Sequence, residues 1–206
     1  MLSFLTDFCD QAVILPAFAA AALVLVAQRR WFLAGTWVGC VAGVLGATLV
    51  LKLADQACGW TVPFLGPDGI DLRNPSGHAA SAAGLWGALA TLLVAGRGRL
   101  TAGTGLLAGS AAAVLIGITR VALGVHTVSD VIVGGLVGIA GALLFGIRAG
   151  SAAAGGGAAL PVAVALLTVG ITHGWHLPAE PTIHGAAVGF IRAHIPACAP
   201  PGWRTI

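Results

Sequence analysis

Residues 120–147 read RVALGVHTVSDVIVGGLVGIAGALLFGI, a short polar segment that runs directly into an apolar stretch of bilayer-spanning length. The polar segment contains three ionisable residues, Arg120, His126 and Asp130. A charged side chain at the centre of a bilayer costs about 2.5–3.5 kcal/mol on the insertion scale. The apolar stretch therefore predicts a transmembrane helix, and the ionisable residues beside it predict a functional site.

The whole chain has the composition of an integral membrane protein. Of its 206 residues, 58% are hydrophobic and 8% are charged, whereas a soluble domain has about 25% charged residues. The mean hydropathy is +0.97, and the 31 glycines suit helices that pack closely through small residues. The ten basic residues are scattered along the chain, so we do not expect a nucleic-acid partner.

Six apolar stretches are long enough, or nearly so, to cross a membrane core that needs about 20 residues. We therefore predict one all-α domain over residues 1–206, a polytopic six-transmembrane-helix bundle with the active site at one membrane face. The polar tail, residues 173–206, is broken by prolines and has room for a short interfacial helix at 183–195. The predicted spans are residues 11–28, 31–53, 76–95, 101–119, 128–147 and 157–172.

The charges around the first span predict its orientation. Asp7 and Asp10 precede the apolar run, and Arg29 and Arg30 follow it. This is the wrong polarity for a cleaved signal peptide and fits a helix that ends in the cytoplasm. Through six spans, every acidic residue then falls on the outer side. Lysine and arginine are equally numerous on the two sides, so their counts alone do not fix the orientation. The orientation is supported only if Lys52, Arg73 and Arg120 on the outer side are counted as site residues.

A second polar segment, Asn74-Pro75-Ser76-Gly77-His78, has the pattern of a helix start. Asn74 suits an N-cap and Pro75 suits the first helical position. We expect the next three residues to present backbone N–H groups at the positive end of the helix dipole, an arrangement that binds phosphate. Gly77 permits close approach of a ligand, and His78 can exchange a proton. A proline-initiated helix with an interfacial histidine is the alternative.

The first polar segment has the parts of a nucleophilic site. If the chain is helical from Thr127, His126 and Asp130 are one turn apart, so the carboxylate can accept a hydrogen bond from the imidazole. The other ring nitrogen is then free for attack or proton transfer. Arg120 offers a fork of donors that matches phosphate oxygens. An interfacial Arg–Asp pair beside a snorkelling histidine is the alternative.

These two segments together resemble the second and third motifs of the type 2 phosphatidic acid phosphatase (PAP2) superfamily. The second motif corresponds to Pro75-Ser76-Gly77-His78, and the third to Arg120, His126 and Asp130 at this spacing. The resemblance covers about residues 45–150. In the integral-membrane branch of the family, six spans place the site at one membrane face, which matches the spans predicted here.

The resemblance implies a role for each of these residues. His126 would be the nucleophile that forms a phosphohistidine, Asp130 would orient it, and His78 would protonate the leaving group. No metal and no other cofactor is implied. The residues implied to bind phosphoryl oxygens are Lys52, Ser76, Gly77 and Arg120.

The first motif of the family is incomplete in this chain. In the family, a lysine is followed seven residues later by Arg-Pro, whereas Lys52 is followed at those positions by Gly59 and Trp60. Thr119 also replaces the serine that usually precedes the arginine of the third motif. We hypothesise that Arg73, which lies just before the second polar segment, supplies the missing cation.

The cysteines and the tail histidines carry weaker signals. Cys9, Cys58 and Cys198 fall on the predicted outer side, where an oxidising compartment permits one disulfide. Cys58–Cys198 is one possible pair, and three cysteines leave the pairing open. Cys40 is expected inside the second span. No metal-ligand spacing connects the four histidines of the tail, which are His173, His176, His184 and His194.

The expected function is hydrolysis of a lipid phosphate, with membrane lipids as the surroundings and a lipid phosphate as the partner. The substrate is a phosphomonoester or diphosphate of the phosphatidate, phosphatidylglycerol phosphate or polyprenyl diphosphate type. The expected location is a bacterial inner membrane with the site facing the periplasm. A lipid-linked phosphotransferase with the same site is one alternative. A homologue that binds or transports phosphorylated lipid without turnover is the other, and the incomplete first motif favours it.

Overall fold

A computed structural model describes residues 2–58, 62–63, 71–72, 74–95, 99–152, 158–191, 194–195 and 198, with the backbone alone at 62–63, 71–72, 99–100 and 151–152. A pair of two-residue strands, Val62–Pro63 (β1) and Asp71–Leu72 (β2), is antiparallel with Val62 opposite Leu72. A π-helical turn, Ala187–Ile191, follows the last helix. The helices are α1 (Leu2–Asp7), α2 (Gln11–Ala27), α3 (Trp31–Cys58), α4 (Gly77–Leu93), α5 (Arg99–Ala122), α6 (Val128–Ala152), α7 (Ala159–Thr172) and α8 (Ala179–Ala186).

The predicted all-α architecture is confirmed, and the six predicted spans coincide with α2 to α7. Among the described residues, four segments are long and apolar enough to cross a membrane: Leu2–Ala27, Trp31–Cys58, Thr101–Ala122 and Val128–Gly150. Helix α4 has 17 residues and α7 has 14, so a 14-residue helix extends over about 21 Å. Length and composition therefore support four spans, and the predicted count of six is not confirmed by them.

Helices α4, α5 and α6 form the tightly packed centre of the molecule. Twelve of the 17 residues of α4 are buried. A Cβ atom at Gly134 would collide with the carbonyl oxygen of Ser76, and one at Gly138 would collide with that of Ala80. Glycine at these two positions lets the backbones of α4 and α6 touch. This contact sets the start of α4 directly against the start of α6.

Helices α2, α3 and α7 pack around this centre through larger apolar side chains. Trp37 of α3 is fully buried, lies 5.6 Å from the Phe145 ring of α6, and donates from Nε1 to the carbonyl oxygen of Phe18 at 3.0 Å. Leucine, isoleucine and valine side chains are exposed on the outer faces of the helices, among them Leu107, Val114 and Leu167. An exposed apolar surface of this kind suits contact with lipid chains.

Four hydrogen bonds join helix ends that are far apart in sequence. They involve the N-terminal ends of α2, α4 and α6 and the C-terminal ends of α3 and α5, together with the segment after α7. Successive helices from α2 to α7 therefore run in alternating directions, and these ends meet at one end of the bundle, which we call the polar end. The bonded pairs are Ser76 with Asp130, Lys52 with Asn74, Arg120 with Thr6, and Leu177 with Asp10.

Two details of the predicted helix starts and ends are wrong. The N-cap of α4 is Ser76 rather than Asn74, because the Ser76 hydroxyl accepts from the Ala79 N–H at 3.3 Å. Asn74 instead adopts a left-handed backbone conformation with φ of 35° and turns its side chain toward Lys52. In the tail, the short helix begins at Ala179 rather than at 183, since Glu180 and its neighbours pack on α3.

A disulfide joins Cys58, the last residue of α3, to Cys198 in the tail. This is one of the pairs that the sequence allows among Cys9, Cys58 and Cys198, and the sequence alone did not decide between them. Cys9 is instead buried and free, and so is Cys40, as expected within the second span. The disulfide holds the tail against the polar end of the bundle.

Candidate active site

The start of α4 is fixed by its contact with α6. Ser76 is fully buried, and its N–H donates to the carbonyl oxygen of Asp130 at 2.9 Å. This N–H is therefore not available to a phosphate. The amides of Gly77 and His78 lie in the first turn of α4, where helical geometry supplies no carbonyl acceptor. Those two amides are the donors that the helix end offers to an anion.

Lys52 lies beside this helix end and is buried, with 2% of its surface exposed. Its ammonium group donates to Asn74 Oδ1 at 2.9 Å and forms an ion pair with the Glu180 carboxylate. A Cβ atom at Gly77 would lie 3.7 Å from Lys52 Cε. The lysine that corresponds to the first family motif is thus adjacent to the second motif, and Glu180 occupies its outer side.

Thr127 and Asp130 form a reciprocal cap at the start of α6. The Thr127 N–H donates to Asp130 Oδ2 at 2.9 Å, and the Asp130 N–H donates to Thr127 Oγ1 at 3.3 Å. Asp130 Oδ2 then lies 3.5 Å from His126 Nδ1. The two side chains are adjacent, as expected. The expected hydrogen bond between them is not formed, because His126 Nδ1 has no hydrogen-bond partner among the described residues.

His126 lies in the loop between α5 and α6 and is 9% exposed. Burial is the main cause that holds the pKa of His126 below its ordinary value of 6.5, and the positive charges of Lys52 and Arg120 act in the same direction. The carboxylates of Asp130 and Glu180 oppose this effect. The imidazole is therefore neutral near pH 7, and a neutral imidazole is the nucleophilic form.

Arg120 is the last cation of α5 and points toward the same end of the bundle. Its Nη1 is 3.4 Å from Thr6 Oγ1, a long hydrogen bond. Within the described part of the chain, three buried polar atoms of this segment have no hydrogen-bond partner: Arg120 Nε, His126 Nδ1 and Asp130 Oδ1. Buried polar atoms without partners are rare, and a cluster of them indicates a place that a polar ligand completes.

Two carboxylates at the polar end had no part in the sequence-based site. Asp10 is buried, and its Oδ2 lies 3.9 Å from Nε2 of His78. Glu180 of α8 pairs with Lys52. Neither belongs to a local motif, and the one signal that included them was the prediction that all acidic residues share the outer side. Arg73, the proposed substitute cation, lies outside the described residues, as do Gly59 and Trp60.

A cavity of about 620 Å³ opens beside these residues between α2, α3, α4 and α8. Its polar end includes Asp10, Lys52, His78 and Glu180. Its remaining wall is largely apolar and continues along α2 and α3 to partly exposed leucines. The apolar residues of that wall include Leu15, Leu45, Leu49, Leu177 and Ile183. The cavity therefore joins a charged end to an apolar groove on the side of the bundle.

The fold and the site together define a helical membrane protein with two histidines, two cations and a helix N-terminus gathered at one end of its bundle. Residues 55–148 match the sequence profile of the PAP2 superfamily. The matched segment carries the PAP2 superfamily domain and includes both complete motifs. The superfamily generally comprises phosphatases.

One relative is the "Uncharacterized 22.5 kDa protein in cps region" of Klebsiella pneumoniae. It is 34% identical to this chain over 143 residues, which are 67% of this chain. The match spans 64% of the length of the relative. No solved structure matches the chain significantly.

Proposed function

We propose that this protein is a membrane phosphatase that hydrolyses a phosphomonoester or diphosphate of a lipid through a phosphohistidine on His126. The observation that carries the proposal is the buried Arg120 Nε, a donor without a hydrogen-bond partner among the described residues, together with the neutral imidazole of His126. They lie at the same end of the bundle as Lys52 and the first turn of α4. A phosphoryl group supplies acceptors for the arginine and for the helix amides, and an electrophile for the imidazole.

In the first step, His126 Nε2 attacks phosphorus, because Nδ1 faces Asp130 at 3.5 Å. A P–N bond forms, the bond between phosphorus and the leaving oxygen breaks, and His78 gives its proton to that oxygen. Asp130 takes a hydrogen bond from Nδ1–H and stabilises the positive imidazole. Lys52 and Arg120 offset the negative charge of the phosphoryl oxygens.

In the second step, water restores the enzyme. Neutral His78 removes a proton from the water as its oxygen attacks phosphorus, and the P–N bond to His126 breaks. Inorganic phosphate leaves and His78 is again protonated. The atoms and protons balance without a metal or any other cofactor.

A lipid substrate is supported by the shape of the cavity. A phosphate head group at Lys52 and His78 places the attached chain along Leu45 and Leu49, toward the side of the bundle where Leu15 is 40% exposed. A soluble phosphate ester has no use for this apolar wall. The chain of a lipid gains about 25 cal/mol for each Å² of apolar surface that it buries there.

We place the site at the outer face of a bacterial inner membrane, with α2 to α7 as six spans. The alternating directions of these helices and the gathering of their ends at one face support this arrangement. The short length of α4 is compatible with it, because its surroundings are protein rather than lipid. The Cys58–Cys198 disulfide supports an oxidising compartment on that side. The relative from Klebsiella pneumoniae supports a bacterial source for this protein.

The test is release of phosphate by detergent-solubilised protein from phosphatidate, phosphatidylglycerol phosphate and polyprenyl diphosphate, with EDTA present throughout. His126→Ala is expected to lose at least about 10³-fold in kcat, since removal of a nucleophile costs several orders of magnitude. His184→Ala, which removes an exposed histidine of α8, is the matched control. Substantial turnover by folded His126→Ala contradicts the mechanism.

The same assay separates the two alternatives. Transfer of phosphate to an added lipid or sugar alcohol, with little release into water, identifies a phosphotransferase. Binding of all three lipids without release or transfer identifies a homologue without turnover. A lipid that is hydrolysed at a rate dependent on His126 identifies the substrate class.

A further inference from the structure

Asp10 is held in one orientation by two backbone donors. It is the N-cap of α2 and is 7% exposed. Its Oδ1 accepts from the Ala12 N–H at 2.8 Å and from the Leu177 N–H, in the segment after α7, at 3.1 Å. The second donor reaches Asp10 from 167 residues away. A helix cap alone needs one of these bonds, so the fold fixes this carboxylate more firmly than capping requires.

The other oxygen of the same carboxylate faces the proposed acid. Asp10 Oδ2 lies 3.9 Å from His78 Nε2, and the side chains are 10% and 18% exposed. The distance exceeds a hydrogen bond, and catalytic hydrogen bonds are often long before substrate binds. With Nε2 directed at Asp10, Nδ1 is the nitrogen of His78 that remains to exchange a proton with the leaving oxygen.

The charges around His78 show why it needs a carboxylate partner. The positive charge of Arg120, which we assign to phosphate binding, opposes a proton on the ring. Glu180 favours the proton, but it is 43% exposed and pairs with Lys52, which leaves Asp10 as the buried carboxylate for His78. The charged or titratable groups that face His78 from α2, α3, α5, the α5–α6 loop and α8 are Asp10, Lys52, Arg120, His126 and Glu180.

We propose that Asp10 is the positioning residue of His78, in the way that Asp130 is for His126. It holds the proton on Nε2 and stabilises the imidazolium, so that His78 can give its Nδ1 proton to the leaving oxygen and take one from water in the second step. The inference rests on the proposed phosphatase function. It extends the site to the residue that caps the first span, outside the segment that matches the family.

Asp10→Asn tests this role with little change in shape. Asparagine keeps an oxygen for the Ala12 and Leu177 amides and is an equally good N-cap. It removes the charge and places an amide donor, which cannot accept from His78 Nε2, in the position of Oδ2. We expect kcat for an alkyl phosphate lipid to fall about 10- to 100-fold, a part of the 10²–10⁴-fold that general acid–base catalysis supplies. KM stays unchanged, and the basic limb of the kcat profile moves to lower pH.

A second substrate separates positioning from structural damage. The leaving group of p-nitrophenyl phosphate needs no proton, so the first step, measured as the initial burst of p-nitrophenol, should proceed in Asp10→Asn at close to the wild-type rate. Asp7→Asn is the matched control, because Asp7 contacts His176 and not His78, and its pH profile should equal that of the wild type. Asp10→Ser, which caps without a charge, provides the same comparison if the asparagine variant does not accumulate.

Two results would overturn the inference. One is an unchanged pH profile and kcat in Asp10→Asn, and the other is an equal loss on both substrates with no shift of the profile. A wild-type protein that hydrolyses none of the lipids instead refutes the proposed function, so the two failures are distinguishable. In the double variant with His78→Ala, removal of Asp10 should cost nothing further, because residues that act as a unit are not additive.

Discussion

Replacement of Glu180 by glutamine should tighten phosphate binding. In the structure the Glu180 carboxylate forms an ion pair with Lys52, the cation that we assign to the phosphate. A substrate phosphate must therefore displace this internal carboxylate before it reaches the lysine. Glu180→Gln keeps the size of the side chain and removes the charge that competes. We expect KM to fall while kcat stays the same, since Glu180 does not contact the reacting atoms.

The magnitude follows from the burial of the two partners. Two unit charges 4 Å apart attract by about 4 kcal/mol at an effective dielectric constant near 20. Lys52 is buried, but the Glu180 side chain is 43% exposed, so solvent screening reduces the contact to roughly 1–2 kcal/mol. Loss of the competitor then lowers KM about 5- to 30-fold, because about 1.4 kcal/mol corresponds to a factor of ten.

Two measurements check this prediction. The inhibition constant of inorganic phosphate should fall by the same factor as KM, because both ligands meet the same free lysine. Phosphate should also raise the unfolding temperature of Glu180→Gln more than that of the wild type, since tighter binding to the native state gives a larger stabilisation. His184→Gln changes an exposed residue of the same helix and is expected to leave all three quantities unchanged.

One result would refute the reasoning. If folded Glu180→Gln has the KM and the phosphate inhibition constant of the wild type, then Lys52 does not bind the phosphate. The pair between Lys52 and Glu180 would in that case only fasten α8 to α3. A drop in unfolding temperature without phosphate is expected under either view, because the variant leaves Lys52 with Asn74 as its described partner.

Two further predictions concern charge at the site. The acid limb of kcat/KM, which reports protonation of the nucleophile, should lie below pH 6.5 because burial lowers the pKa of His126 from that value; Lys52→Met should move the limb to higher pH, and an unmoved limb would exclude Lys52 as a cause. If Arg73 replaces the arginine of the first motif, Arg73→Ala should lower kcat/KM roughly 10- to 100-fold, as expected for a charge-assisted contact of about 1.5–3 kcal/mol, and Arg73→Lys should restore part of it. Wild-type kcat/KM in Arg73→Ala would show that Lys52 and Arg120 are the cations of the pocket.

The positions of the helices were predictable from sequence because each long apolar run can be buried only as a helix in lipid. The residues at which the helices end were less predictable. Helix α3 continues to Cys58 rather than ending at 53, because Asp55 accepts from the Asn74 N–H at 3.0 Å and the disulfide holds the last residue. The two partners, Asn74 and Cys198, lie outside the helix, so the hydropathy of the helix does not indicate these contacts.

The cap of α4 illustrates how tertiary contacts override local preference. Asparagine before proline is a good N-cap pattern, yet the side chain of Asn74 is used by Lys52, a contact 22 residues away. Ser76 then takes the capping role within the same segment. Sequence reasoning located the helix start to within two residues and misassigned the residue that caps it.

The residues of the candidate site also fall into two groups, those that lie in local sequence motifs and those that only folding brings to the site. Ser76, His78, His126 and Asp130 could be predicted as site residues because they lie in two short motifs. Asp10 is the N-cap of α2 and Glu180 lies in the tail, and the contact of Glu180 with Lys52 spans 128 residues.

No local spacing connects these two carboxylates to the histidines. What identifies them is a general rule: a buried cation and a buried histidine at the end of a membrane bundle need partners of opposite charge. With Lys52 and His78 assigned, the rule points to acids on the same membrane face. Seven acids, including Asp130, were predicted there, and folding brings Asp10 and Glu180 to Asp130 at the site. The tail therefore contacts the site that we propose at the polar end, through the Leu177 amide on Asp10 and the Glu180 carboxylate on Lys52.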